Sequence, residues 1–97
     1  MIRHIVLLTL KDGTTPDDLA SIKASLESMP GAIPQIARYS FGQDLSVSAN
    51  TADLGIIADF EGVEEFEVYS QHPHHVAAVR DVIKPHVAKK TAMQFAI

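Results

Sequence analysis

The sequence predicts an α+β domain with a ferredoxin-like β-α-β-β-α-β order, in which two helices cover one face of a four-stranded antiparallel sheet. Three features predict this order: short apolar runs typical of strands, two segments with apolar residues at helical spacing, and a polar, turn-rich stretch between the second and third runs. A length of 97 residues suits a single domain spanning 1–97.

The first strand and the first helix are the clearest elements. Residues 2–10, IRHIVLLTL, form a short run rich in Ile, Val and Leu, which predicts a strand. Thr15 suits the N-cap of a following helix and Pro16 suits its first position, and Pro30-Gly31 predicts where the helix ends. The helix carries one apolar stripe, made of Leu19, Ile22, Leu26 and Met29.

The remaining elements follow from the same kind of pattern. Pro73 interrupts the second helical segment, so we expect two helical pieces there. The predicted elements are a strand at 35–41, the main loop at 42–53, a strand at 54–60, a helix at 62–70 with Val63, Phe66 and Tyr69 inward, a helical piece at 74–84 and a strand at 89–97.

The first strand is apolar on both of its faces. Val6 and Leu8 lie on one face, while Ile5 and Leu7 lie on the other. Two helices cover only one face of a sheet, so the second face needs another partner. We expect a homodimer that packs the sheets of two copies together.

The composition excludes several functional classes. The net charge is −4 and the basic residues are scattered, which argues against a nucleic-acid surface. No stretch approaches the roughly 18 apolar residues of a membrane span, so no membrane partner is expected. The absence of cysteine excludes disulfides and Cys-based zinc sites, and it is compatible with a cytoplasmic location.

Histidines concentrate in one segment, YSQHPHHV. Three of the five lie at His72, His74 and His75, around Pro73. If Pro73 opens a helix, His74 and His75 point about 100° apart, and three imidazoles do not converge on one ion. No metal site and no cofactor are therefore expected from this cluster.

Proton transfer fits the cluster better. An imidazole near a helix N-terminus has a lowered pKa, and neutral imidazole is the form that a general base needs. The bend at Pro73 brings the helical piece that carries Tyr69 towards the piece that carries His75, and a phenol can donate to a carbonyl or enolate oxygen. His4 interrupts an apolar strand face and is the third candidate.

Structural roles explain the same residues. His72 suits the cap of a helix break, His74 suits a solvated position, and His4 and Tyr69 suit a core with satisfied polar groups. Phe66, Val79 and Leu26 suit plain core positions as well.

The chain also resembles the stress-responsive dimeric α/β-barrel family, known as Dabb. The matching pieces are RHIVLLTLK, FGQDLS, ADFEGVEEFEVYSQHPHH and a short closing strand. The most specific piece is the Y-x-x-H-P-x-H pattern at Tyr69, His72, Pro73 and His75. The resemblance covers essentially the whole chain and implies a homodimer whose two sheets form a barrel with helices outside.

The resemblance also implies roles for individual residues. In polyketide cyclases of the olivetolic acid type, a Tyr and a His in this pattern perform a cofactor-free aldol condensation. By resemblance, Tyr69 polarises a carbonyl and His75 is the general base. Family members often carry an Asp in the last strand that orients the catalytic His, and the nearest counterpart here is Gln94. The pocket positions that the resemblance implies are His4, Val6, Leu8, Leu26, Ile56, His72, Val79 and Gln94.

Two functional hypotheses follow. The first is a cofactor-free cyclase-like or lyase-like site that acts on a carbonyl or phenolic compound within each subunit of a dimer. The second is a non-enzymatic, stress-responsive homodimer that binds a ligand or self-assembles. Oxygen chemistry on a phenol is a third idea, because similar dimeric barrels support cofactor-free monooxygenases.

Overall fold

The structure, a computed structural model, describes residues 1–97 and has the predicted order of elements. It confirms the ferredoxin-like fold class. The elements are β1 (Ile2–Leu10), α1 (Pro16–Glu27), α2 (Met29–Ala32), β2 (Arg38–Gln43), β3 (Leu54–Phe60), α3 (Val63–Gln71), α4 (Pro73–Ala78), a π-helical turn (Val79–Ile83), a 3-10 turn (Lys84–His86) and β4 (Val87–Ala96).

The sheet is antiparallel and has the strand order β2-β3-β1-β4. His4 lies opposite Ala58 on β3 and Gln94 on β4. Because side chains alternate along a strand, this register places one set of residues against the helices and the other set on the opposite side of the sheet.

The helix-covered side holds the core. Ile22 and Leu26 of α1 pack with Val6, Leu8 and other residues of β1 and β3. A second group surrounds Phe60 and includes Met29, Ile33, Ala58 and Tyr69. The start of α1 is held by a capping box, in which the Thr15 hydroxyl accepts from the Asp18 amide and the Asp18 carboxylate accepts from the Thr15 amide.

The other side of the sheet, here called the open face, is defined by Ile5, Leu7, Ile57, Met93 and Phe95. Ile5 lies opposite both Ile57 and Met93, so these apolar side chains are neighbours. No helix covers them, and Leu7 and Met93 are 45% and 57% exposed.

Several predicted boundaries were wrong. β2 runs over Arg38–Gln43 rather than 35–41, because residues 33–36 form a turn and the chain joins the sheet only where the Ala37 amide donates to the Asp59 carbonyl at 2.8 Å. The helix does not end at Pro30-Gly31. α1 ends at Glu27, and Pro30 lies in the first turn of α2, where a missing N–H costs little.

The segment after Pro73 also differs from a single helix at 74–84. α4 gives way to the π-helical turn and then to the 3-10 turn, and β4 begins at Val87 rather than at 89. Val63, which we expected to point inward, is 60% exposed because it is the first residue of α3.

Candidate functional site

A cavity of about 510 Å³ lies between the sheet and the α3–α4 layer. This volume is within the ordinary range for a small-molecule site. Most of its wall is apolar, and its polar groups come from β1, α3, α4, the 3-10 turn and β4. The predicted residues that line it are His4, Val6, Leu8, Leu26, Ile56, Tyr69, His75 and Val79.

The break at Pro73 brings Tyr69 and His75 together. α3 ends at Gln71, and the His72 Nδ1 caps α4 by accepting from the His74 amide at 3.1 Å. The Tyr69 and His75 ring centroids are then 4.4 Å apart. Tyr69 is buried, and both rings line the cavity.

His75 is oriented by the main chain. Its Nδ1 lies 3.1 Å from the Ser70 carbonyl oxygen. A carbonyl can only accept, so Nδ1 carries the proton and Nε2 of the neutral ring is a proton acceptor. This is the tautomer that a general base requires.

His4 is oriented differently. The Gln94 amide nitrogen donates to the His4 Nδ1 at 2.8 Å, so the neutral ring carries its proton on Nε2. The family pattern implied that residue 94 orients His75. In this structure Gln94 contacts His4 instead, and the Ser70 carbonyl orients His75. His4 packs against Phe66 and Tyr69, with centroid separations of 5.0 and 6.1 Å.

Burial keeps all three ring systems uncharged near neutral pH. It lowers the pKa of His4 to about 4, and the positive charge of Lys90 and the neighbouring His75 act in the same direction. Burial also lowers the pKa of His75. The hydrogen bond to the Ser70 carbonyl raises this pKa, whereas the charges of Lys90, His72 and His74 lower it further. The expected direction was correct, although the main cause is burial rather than the helix terminus. Burial raises the pKa of Tyr69 to about 12.

Two of the predicted pocket residues lie outside the cavity wall. His72 acts as the cap of α4, and Gln94 lies behind His4. His74 is outside as well, and its Nε2 lies 2.8 Å from the Ser28 hydroxyl. No three His, Asp or Glu side chains gather in a way that could hold a metal ion.

Two lysines line the cavity although nothing in the histidine motif indicates them. Lys90 lies opposite Leu8 and shares the helix-covered side of β4 with Gln94, four residues further on. That alternation is a signal in the sequence, because residues two or four apart on a strand share a face. Lys84 follows the π-helical turn, and the sequence carries no comparable signal for it.

None of the helices has the length and apolar character needed to cross a membrane.

Comparison with known proteins places the chain in a family. The model of the stress-responsive A/B barrel domain, Dabb, matches residues 2–97. A dimeric ferredoxin-like protein of unknown function from Thermobifida fusca is 40% identical, with a TM-score of 0.91, and the alignment covers 99% of this chain and 90% of that one. No curated protein matches the sequence.

Other solved structures share the fold. A Dabb family protein from Mesorhizobium loti is 25% identical, with a TM-score of 0.83 over 99% of this chain and 95% of that one. The hydroxynitrile lyase from Passiflora edulis is 19% identical, with a TM-score of 0.87 over 99% and 92% of the two chains. The chain belongs to the stress-responsive A/B barrel (Dabb) family.

Proposed function

We propose that the cavity is a small-molecule site in which His75, Tyr69 and His4 carry out cofactor-free proton transfer on a carbonyl or phenolic compound, in the manner of a cyclase or lyase. The observation that carries the proposal is the pair of complementary tautomers inside one apolar cavity. His75 offers an acceptor nitrogen, and His4 and Tyr69 offer hydrogen-bond donors.

The chemistry follows from these positions. His75 Nε2 takes a proton from the carbon next to a carbonyl, the C–H electron pair moves into the enolate, and the negative charge collects on oxygen. Tyr69 O–H and His4 Nε2–H donate to that oxygen. The enolate then attacks a second carbonyl, expels a leaving group or takes the proton back from His75. Tyr69 stays protonated because burial raises its pKa to about 12.

The fold is compatible with this kind of chemistry. The Passiflora edulis protein of the same fold is a hydroxynitrile lyase, and at 19% identity its likeness concerns the fold alone. The support for a reaction in this chain is therefore the geometry of its own cavity.

The test is exchange of the α-protons of an aryl ketone, acetophenone, for deuterium, followed by NMR in D₂O. The wild-type protein should accelerate exchange. His75→Gln should slow it by about 100-fold or more because the base is lost, and Tyr69→Phe by about tenfold or more because one donor to the enolate is lost.

His74→Gln is the matched control, because His74 is adjacent in sequence but lies outside the cavity. It should exchange like the wild type. Equal exchange rates in the wild type, His75→Gln and Tyr69→Phe would contradict proton transfer. Ketone binding without any exchange would favour the second candidate, a non-enzymatic binding protein.

We also propose that the chain is a homodimer formed through the open face. Exposed Leu7, Ile57, Met93 and Phe95 form a continuous apolar surface there. The 40%-identical protein from Thermobifida fusca is dimeric and ferredoxin-like, which supports this assembly.

A further inference from the structure

The cavity wall is basic, whereas the chain as a whole is acidic. The protein carries twelve acidic and eight basic residues, for a net charge of −4. Yet the cavity wall contains no Asp or Glu, and besides the histidines its only ionisable basic groups are Lys84 and Lys90. A cavity lined in this way favours an anion over a neutral or cationic ligand.

The sheet register directs Lys90 to the cavity. Lys90 lies opposite Leu8, and Leu8 is a buried residue of the helix-covered side. Lys89 lies opposite Thr9 and therefore has its side chain on the other side of the sheet. Of these two consecutive lysines, Lys90 lines the cavity and Lys89 does not.

Neither cavity lysine has a carboxylate partner within the chain. The ion pairs of the molecule join Arg3 to Asp59, Arg80 to Asp81 and His86 to Asp18. Both lysines are exposed residues at the edge of the cavity, so their ammonium groups are free to pair with an anion that the ligand brings.

The lysines and the imidazoles are at different positions along β1. Lys90 is level with Leu8, and His4 is four residues away, about 13 Å along the strand. The apolar wall, including Val6 and Ile56, lies between these positions. The positive charge of Lys90 contributes to the lowered pKa of both His4 and His75.

We propose that the ligand of this cavity is an organic acid with an apolar body, seated with its carboxylate at Lys84 and Lys90 and its carbonyl or phenolic group at His4, Tyr69 and His75. Only the placement of the carbonyl or phenolic group at His4, Tyr69 and His75 rests on the proposed function. The recognition of the carboxylate depends on the two lysines and on the absence of acidic residues from the wall.

The test uses two ligands of the same shape, 5-benzoylpentanoate and its primary amide, 5-benzoylpentanamide. Each has an aryl ketone at one end, and only the first carries a charge. Titration calorimetry on the wild type should give a dissociation constant about three- to fivefold lower for the acid than for the amide. Lys90→Gln should remove most of that difference, because it lowers the affinity for the acid more than the affinity for the amide.

Lys89→Gln is the matched control, because it removes the same charge from the neighbouring position on the other side of the sheet. It should keep the preference for the acid, and circular dichroism checks the fold of each variant. The combined variant Lys84→Gln with Lys90→Gln should bind acid and amide equally.

Three results would overturn the proposal: equal binding of acid and amide by the wild type, an equal loss of acid affinity in Lys89→Gln and Lys90→Gln, or no binding of either compound. Deuterium exchange on both ketones separates this proposal from the proposed function. If the amide binds as tightly as the acid and exchanges as fast, proton transfer is supported and carboxylate recognition by the lysines is contradicted. If the acid binds in a lysine-dependent way but does not exchange, carboxylate recognition is supported and proton transfer is contradicted.

Discussion

Each imidazole in the cavity has a different partner, and the partner decides what the ring can do. The Ser70 carbonyl holds the His75 proton on Nδ1, whereas the Gln94 amide leaves the His4 proton on Nε2. The Nε2 of the neutral His75 ring is therefore an acceptor, and the Nε2 of the neutral His4 ring carries a donor N–H. Burial keeps His4 neutral and the uncharged amide at residue 94 does not oppose it, whereas a carboxylate there would favour the imidazolium form.

This difference predicts the effect of Gln94→Glu. The pKa of His4, which is about 4 in the wild type, should rise by roughly one to two units because the new carboxylate stabilises the protonated ring. NMR titration of the histidine ring signals measures the change directly. Gln94→Leu is the uncharged control, and a larger shift at His75 than at His4 would show that residue 94 serves the other imidazole.

The sequence could indicate the identities of Tyr69, His75 and His4 but not their hydrogen bonds. The Y-x-x-H-P-x-H pattern and the interrupted apolar face single out the three side chains. The orienting partner of His75 is a main-chain carbonyl, and any residue type at position 70 would supply one. The hydrogen bond that orients His75 therefore cannot be predicted from the residue types in the sequence.

At the scale of elements, the two imidazoles lie between the sheet and the α3–α4 layer. His4 comes from β1 and His75 from α4, so protonation of either places a charge between layers that pack together. The groups that face His4 include Tyr69 from α3, His75 from α4, and Gln94 and Lys90 from β4. None of these is a carboxylate that would accept the new charge.

We therefore expect stability to fall in mild acid. The pKa of His4 is about 4 in the folded chain, against an ordinary value of 6.5, so the unfolded chain binds more protons between these pH values. The free energy of unfolding is fully retained above pH 6.5 and should drop by about 2 kcal/mol as the pH falls to 4, less than the full shift implies because the cavity is partly open to solvent.

Urea denaturation at several pH values between 7 and 4 measures this loss. His4→Gln is the control, because it cannot take up the proton and should show a shallower dependence on pH. The remaining slope should come from His75, whose pKa burial also lowers, and at the acid end from carboxylates whose pKa the fold lowers, such as Asp59. An identical pH dependence in His4→Gln and the wild type would contradict the assignment.

Element order was predictable because short apolar runs, caps and proline breaks act over a few residues. Thr15 and Pro16 lie where a helix start requires them, and the break at Pro73 separates α3 from α4. The π-helical turn was not predictable, because Val79 and Ile83 fit an ordinary helix equally well in a one-dimensional pattern. Tertiary packing around the cavity decides between the two.

At the scale of the whole molecule, the open face leaves apolar side chains without a partner. Leu7 lies on this face opposite Gly55 and Thr91, and it follows Ile5 on the same side of β1. In a two-fold symmetric dimer each interface residue occurs twice, so one substitution alters two positions in the assembly. This makes the proposed homodimer sensitive to a single buried charge.

Leu7→Lys should separate the dimer. Burying an unpaired ammonium costs several kcal/mol, so the dissociation constant should rise by about 100-fold or more, as measured by analytical ultracentrifugation. Val63→Lys is the control, since Val63 is an equally apolar residue, 60% exposed at the start of α3 and away from the open face. A Leu7→Lys protein that sediments like the wild type would exclude this interface.

The π-helical turn at Val79–Ile83 has a consequence for how such a cavity can diversify. A π turn accommodates one residue more than an α turn, so losing a single codon there would convert it to a regular helix. Five residues of a π turn and four of an α turn advance around the helix axis by nearly the same angle, so Lys84 and the strand after it would keep their positions. One deletion could thus reshape the wall beside Val79 and Ile83 while the rest of the cavity stayed in place.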